Sequence, residues 1–503
     1  MALSILDLSL LGFGFWLVRR YLNASKSSLP LPPGPKGLPL VGNVLDLPTV
    51  QPHKTFAEWG TKYGGIVYAN ALGQPIVIIN DVKIAVDLLD KKSALYSDRP
   101  TLRMAGELTG WEHSLVLQHY GDRLKEYRRY IHRFLGTRTG IESFHPLFES
   151  EARALLKHMI AAPDAVQENL RRAAGAIIMK MSYGYDTRDI ADPIVDLVDL
   201  ATTQFSELMQ STFLVDFLPF LKYVPAWFPG AGFQRKALEH GKVLQDMAEV
   251  PLKFVQKEIA AGTAPPSFVA DLIEESNGTN YEVNNIKWAA ASLYSGGADT
   301  TVSTMYTFFL TMTLFPEAQK KAQAEIDAVI GHDRLPCMAD RPNLPYVEAL
   351  VSEVLRWGPV GPMGIAHRLM EDDVYNGYLI PKGSIVMPNA WNMLHDPAVY
   401  ENPLDFNPDR FIARPGKPAE QDPRICCFGF GRRVCPGLNL ADATVWLESA
   451  MALATLNISK AVENGVEITP EGKYLEGTIA HPEPFKCSIK PRSPQAEALV
   501  RAE

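Results

Sequence analysis

The sequence predicts a mainly α-helical chain with small β-sheets, an α+β fold built as a single catalytic domain. Two observations carry this reading. From about residue 120 to residue 360, apolar side chains recur at helical spacing in long amphipathic stretches with few strand signals. Strand patterning is confined to short segments on either side, and no internal repeat, low-complexity tract or charge block interrupts the chain.

The elements follow in order. Residues Ala2 to Val18 are mostly apolar, broken by Asp7, and are followed by Arg19, Arg20 and Lys26. Seventeen helical residues reach about 25 Å, just short of a hydrocarbon core of about 30 Å. Positive charges after the apolar run keep that flank in the cytosol. Residues 1–20 are therefore expected to form an uncleaved single-span anchor rather than a cleaved signal peptide. A hinge over 21–43 follows, where five prolines in eleven residues stiffen the chain. The catalytic domain is expected over 44–503. Ile66-Val67-Tyr68 and Ile76 to Ile79, punctuated by Gly73 and Asn80-Asp81, predict a hairpin. Breaks in the helical region fall at Val224–Gly230 and Gly262–Ser267. In the first break, Trp227 and Phe228 admit two readings, core rings or an amphipathic loop dipping into a membrane. From 360 to 411 strands and turns return, with Asn376-Gly377 and Pro381-Lys382-Gly383 as turn signals.

Composition narrows the function. The 503 residues are 47% hydrophobic, 10% aromatic and 21% charged, which excludes collagen-like, disordered and multi-span membrane classes. Forty-nine basic against 57 acidic residues give a net charge of −8, so no nucleic-acid partner is expected. Five cysteines make no disulfide framework in a chain of this length.

The most informative segment is Phe428-Gly-Phe-Gly-Arg-Arg-Val-Cys-Pro-Gly437, followed by a helical pattern from Leu438 to Leu456. Glycines at 429, 431 and 437 permit φ > 0 turns and close backbone approach to something large and flat. Cys435 is expected at the start of a helix, where the dipole and free N–H groups favour a thiolate. Arg432 and Arg433 are fixed cations suited to carboxylates. A thiolate in such a loop suits an axial ligand of haem iron.

This segment resembles the F-x-x-G-x-R-x-C-x-G signature of the cytochrome P-450 superfamily, with Phe428, Gly431, Arg433, Cys435 and Gly437 in place. Cys426 and Cys427 lie outside the match and read as bystanders. Glu353-Val-Leu-Arg356 resembles the family's E-x-x-R pair, which shares one helix face at this spacing. Pro408-Asp-Arg410-Phe411 resembles its P-x-R-F segment, so the resemblance implies a buried structural triad of Glu353, Arg356 and Arg410. Gly296-Gly-Ala-Asp-Thr-Thr301 lies in an apolar helical stretch from about Ile286 to Leu314. Mid-helix glycines cost roughly 1 kcal/mol each and need a reason, either close helix contact or a flat cofactor against the helix. The segment looks like the family's [AG]-G-x-[DE]-T motif, which implies that Asp299 and Thr300 relay protons during catalysis. Tyr120 to Tyr130 resembles the helix carrying W-x-x-x-R; Arg128 matches, but Leu124 replaces the tryptophan and cannot donate a hydrogen bond. Lys125 is a candidate substitute. The resemblance also carries over His367 and Arg433 as haem propionate contacts, with Arg368 an equal rival to His367.

The resemblance implies a P-450 fold and a monooxygenase that inserts one oxygen atom of dioxygen into a small apolar substrate. It implies haem b and NADPH electrons from a membrane-bound P-450 reductase, with cytochrome b5 as a further donor. Arg432, Lys125, Arg128 and Arg129 are candidates for the reductase face. Asp372 to Pro381 is similar to fungal members of secondary metabolism. A terpenoid is the first expectation for substrate; an aromatic or indolic molecule, or a polyketide, is the second. Trp111, Phe213, Met363 and Ile479 exemplify the expected pocket lining. The implied location is the endoplasmic reticulum membrane, with the catalytic domain facing the cytosol. The rivals are a haem-thiolate enzyme that rearranges peroxides without a reductase, and a haem sensor or carrier without turnover.

Overall fold

The computed structural model describes residues 29–188 and 192–502. The expected anchor over 1–20 and the start of the hinge lie outside the described residues. Among those described, no helix is long and apolar enough to cross a membrane.

The helical body runs through α1 (Pro52–Tyr63), α2 (Asp122–Leu135), α3 (His145–Ala161), α4 (Val166–Tyr183), α5 (Pro193–Gln210), α6 (Gly232–Ala261), α7 (Phe268–Glu275), α8 (Asn280–Leu314), α9 (Pro316–Val329), α10 (Pro345–Trp357) and α11 (Leu438–Thr455). At 35 residues, α8 spans about 52 Å and forms the axis against which α4, α2, α6, α10 and α11 pack. Its lack of a polar face follows from that position, since a helix surrounded by helices is apolar all round. Thr279 caps its start by accepting the Glu282 N–H at 3.2 Å. The foreseen break at 262–267 is a stop and a start. Gly262 ends α6 at φ +72°, and the Ser267 hydroxyl caps α7 by accepting the Ala270 N–H.

The strands form three small sheets. β1 (Ile66–Ala71) and β2 (Gln74–Ile79) make the expected antiparallel hairpin, with Ile66 opposite Ile79. β2 then pairs in parallel with β6 (Ile385–Pro388), which pairs antiparallel with β3 (His367–Arg368). β4 (Asp373–Tyr375) and β5 (Tyr378–Ile380) are joined by Asn376 and Gly377, both at positive φ as a tight two-residue hairpin requires. β7 (Leu456–Glu463) lies between β8 (Val466–Ile468) and β9 (Cys487–Pro491).

The proline-rich residues 29–43 are laid along these sheets. The Tyr68 N–H donates to Pro33 O at 2.9 Å, and the Leu379 N–H donates to Pro30 O at 2.8 Å. A methyl group at Gly34 would sit 1.9 Å from the Tyr68 carbonyl oxygen, so only glycine allows that approach. At 224–230, turns close from Phe228 N to Pro225 O and from Ala231 N to Phe228 O, leaving the rings outside. Trp227 is 79% exposed and Phe228 49%, which removes the core reading for both.

Candidate active site

Cys435 lies just before α11. Its N–H donates to Phe428 O at 2.7 Å and closes the loop on itself. Gly429 and Gly431 take φ of +77° and +51°, and a methyl at Gly431 would lie 2.4 Å from Leu89 O. Gly437 differs: its φ is −92°, and a methyl there would sit 3.9 Å from the Cys435 sulfur. Burial pushes the Cys435 thiol up, outweighing the Gly437 amide and the Arg128 charge that pull it down. α11 begins at Leu438, and the amide of its N-cap, Gly437, is the one that bonds the sulfur.

Cys435 borders a cavity of about 370 Å³, shared with Phe428, Gly437, Arg99, Arg128, His367 and Arg433. The cations there crowd one another. Arg433 donates to Ser97 O at 2.7 Å and Gln118 O at 2.6 Å, and burial brings it down to about 10. Arg99 donates to Val116 O, Ile365 O and Ala366 O, and burial together with the Arg433 charge holds it well below the ordinary guanidinium range. Arg128 donates to Val434 O at 2.9 Å and is lowered by burial. The neighbouring acid, Asp98, is already engaged by His119, Arg368 and the Tyr120 N–H. Arg368 is thereby placed off the cavity, and His367 is the residue that reaches it. The His367 Nδ1–H donates to Tyr96 O at 2.8 Å, and burial with the Arg99 and Arg433 charges keeps the ring neutral. Lys125 pairs with Asp122 on the surface and does not border the cavity; Leu124 is buried in the core.

On the other wall, Thr300 donates from Oγ1 to Gly296 O at 2.7 Å, bending back onto its own helix. The two glycines of the motif divide the two readings between them. A methyl at Gly297 would lie 2.8 Å from Ile178 Cδ1 of α4, which is close helix contact, whereas one at Gly296 would meet nothing within 4 Å. Asp299 does not border the cavity. Its Oδ1 lies 3.1 Å from His481 Nε2 instead. Trp111 and Ile479 line the cavity as expected; Phe213 and Met363 do not. Phe213 lies past the end of α5, and the turn at Gly364 (φ +54°) leaves Met363 against the Phe56 and Val67 cluster. Cys426 and Cys427 also border the cavity, and burial pushes both thiols up, Cys426 to about 12.

Behind the loop, Glu353 and Arg356 pair through two contacts of 2.7 and 2.9 Å, and Arg410 Nε donates to Glu353 Oε1 at 3.1 Å. All three are almost fully buried. Arg356 further donates to Leu394 O, Pro403 O and Asp405 O, and Arg410 to Glu420 at 2.7 Å. Each charge is thus paired and hydrogen-bonded, as burial demands.

Three features escaped sequence reading. Arg99 stands in Ser97-Asp98-Arg99-Pro100, where a basic residue ahead of a proline gave the only hint. His481 is distant in sequence from Asp299. A closed ring of Arg341, Glu348, Arg424 and Asp442, with contacts of 2.7–2.9 Å, is built from three separate segments.

The donor set fits a haem. The buried Arg99 and Arg433 and the half-buried Arg128 share one cavity, where among the described residues the lining carboxylate, Asp442, is already paired with Arg341 and Arg424; this suits a ligand bearing its own carboxylates. An enclosed sulfur that is costly to ionise alone suits a metal cation as partner.

A family model described as Cytochrome P-450 matches residues 32–488. Cytochrome P-450 monooxygenase 208 of Postia placenta is 52% identical over 474 residues, 94% of this chain and 92% of the relative. Cytochrome P-450 monooxygenase claR of Ampulloclitocybe clavipes is 48% identical over 505 residues, 99% of this chain and 92% of the relative. A solved zebra fish cytochrome P-450 with abiraterone superposes with a TM-score of 0.71 at 23% identity, covering 88% of this chain and 100% of that one.

Proposed function

The chain belongs to the cytochrome P-450 family, and from that premise we propose that Cys435 is the axial ligand of a haem b on which a small, uncharged, mainly apolar substrate is oxidised. The family consists of haem b monooxygenases, oxidoreductases that take NADPH electrons through a reductase. One observation carries the assignment to this site: the enclosed Cys435 sulfur and the acid-poor cluster of Arg99, Arg128 and Arg433 border one cavity.

Bound there, the haem supplies dioxygen activation and transfer of one oxygen atom to the substrate. Arg99, Arg128 and Arg433 would hold its propionates, whose charge would relieve the crowding of the three cations. His367, which borders the same cavity, would be a further neighbour of those propionates. Phe428 and Gly437 shape the loop around the sulfur. Glu353, Arg356 and Arg410 fix the chain behind it. Thr300 holds a hydroxyl proton at the cavity wall, and Asp299 on the same helix refills it.

The wall contributed by α4, α5, residues 111–116, α8 and Thr478-Ile479 carries no charged side chain. That supports a neutral substrate; among neutral classes we propose a terpenoid first and an aromatic, indolic or polyketide one second, in fungal secondary metabolism. Arg432 and Lys125 both lie over the Tyr120 ring near the cysteine loop, and with the exposed Arg129 they support a docking face for the reductase. Residues 1–20 are proposed as a single-span anchor in the endoplasmic reticulum, with the domain facing the cytosol.

The test is a Soret titration of the purified ferric protein against terpenes and aromatic amines, followed by NADPH consumption with reductase. A thiolate-type band that Cys435→Ala removes, and product formation that Thr300→Ala uncouples from NADPH use, are expected. Haem binding without NADPH consumption would point to a carrier or sensor instead.

A further inference from the structure

The reading of Asp299 and Thr300 as a proton relay leaves open how Asp299 receives its proton, since its carboxylate is turned from the cavity. α8 and the segment Tyr474–Pro482 answer this together. Asp299 and Ser303 are one turn apart and share a helix face. The Ser303 hydroxyl donates to Ala480 O at 2.6 Å, the Ala480 N–H donates to Val360 O at 2.8 Å, and Leu475 N bonds His481 O at 2.8 Å. These bonds pin His481 beside Asp299, with Nε2 at 3.1 Å from Oδ1. The other ring nitrogen, Nδ1, is buried without a protein partner among the described residues. A buried ring nitrogen left open in this way is a place for a water molecule.

We propose that His481 carries protons from solvent to Asp299. The step balances without any redox change. A proton arrives at Nδ1 from water, the Nε2 proton passes to Asp299 Oδ1, and the imidazole is left neutral in its other tautomer. The carboxylic acid so formed refills Thr300, and exchange with water resets the ring. Other charges face the pair. Asp199 of α5 is raised to about 6, chiefly by burial and further by the charge of Asp299, with Arg171 of α4 opposing. The inference rests on the relay role of Asp299 and Thr300.

Two measurements on the haem-loaded full chain test it. Hydrogen–deuterium exchange at the histidine C2 position, read by mass spectrometry across pH, reports His481 directly. Asp299→Asn is expected to change the exchange rate at His481, and Thr300→Ala to leave it in place. A His481 that exchanges identically in wild type and Asp299→Asn overturns the pairing. The second readout is NADPH oxidation with reductase in H2O and D2O. Glutamine can still donate to Asp299 but cannot pass a proton through its side chain. His481→Gln is therefore expected to slow oxidation about tenfold, below the usual worth of a positioned acid because water substitutes in part, and to enlarge the isotope effect. His481→Gln at wild-type rate overturns the proposal and leaves a propping role only. If Thr300→Ala also leaves the product formed per NADPH unchanged, the relay reading itself has failed; if Thr300→Ala lowers that yield and His481→Gln is silent, only the histidine step has.

Discussion

The side of the cavity behind Cys435 and the side across from it are built on different principles. Behind the sulfur, charges are closed on themselves: the buried triad of Glu353, Arg356 and Arg410, and the partly buried ring of Arg341, Glu348, Arg424 and Asp442. Across from it, the wall is a helix with glycines at 296 and 297, neutral side chains, and, farther out, the exposed Phe220, Tyr223 and Trp227. The first region fixes one geometry, because a buried charge tolerates few arrangements. The second leaves space that a substrate can fill. The comparison therefore predicts a steep gradient in mutational cost from one side to the other.

The steepest test is Glu353→Ala. It strands Arg356 as a buried cation and leaves Arg410 with Glu420 alone, and removing one partner of a buried pair costs about 3–5 kcal/mol. Thermal unfolding and haem content should both fall, and a variant that holds haem with an unchanged melting temperature would erase the contrast. Next is Glu448, on α11 behind the cysteine loop. Burial, then the Glu151 charge, raises its carboxyl from 4.5 to about 8, and its Oε1 lacks a protein partner. The folded state therefore binds a proton that the unfolded state releases between those two values. Stability is full below about 4.5 and falls as pH rises toward 8, by a few kcal/mol. Glu448→Gln should flatten that slope in denaturant titrations at pH 5 and pH 8, with its gain appearing at pH 8.

Much of the rigid side was legible in the sequence because its residues fall in short runs: Phe428 to Gly437, Glu353 to Arg356, Pro408 to Phe411. Backbone bonds within a loop, such as Cys435 N to Phe428 O, demand fixed spacing, and fixed spacing is what a motif records. Arg99 and His481 were missed because each meets its partners through tertiary contacts alone. Met363 was misplaced because a turn at Gly364, not periodicity, sets its direction. The hairpins at 66–79 and 373–380 were readable from alternation and turn residues, whereas the parallel pairing of β2 with β6 joins segments some 300 residues apart. No local pattern encodes that pairing.

On the open side the costs shrink. Gly296→Ala adds a methyl that meets nothing within 4 Å. Replacing a mid-helix glycine by alanine is worth about 0.8–1 kcal/mol. A raised melting temperature with altered substrate affinity is expected; a lowered one would mean that the helix needs that glycine for its own shape.

The smallest effect on folding is expected at Trp227 and Phe228, and there the contrast acquires a function. Their rings touch each other at 6.1 Å between centroids and otherwise face outward, 79% and 49% exposed. Phe220 and Tyr223 are exposed on the same excursion, and Leu40 and Leu45 are exposed near the proline-rich segment. Surface substitutions away from buried features usually stay within about 0.5 kcal/mol, so Trp227→Ala with Phe228→Ala should leave the melting temperature almost unmoved. Binding to phospholipid vesicles is a different matter, because amphipathic rings gain most at the bilayer interface. A chain lacking residues 1–28 is expected to co-sediment with neutral vesicles through this excursion, and the double variant to lose most of that binding. Equal sedimentation of both proteins would show that the rings serve no membrane, and the open side would then be open to substrate alone.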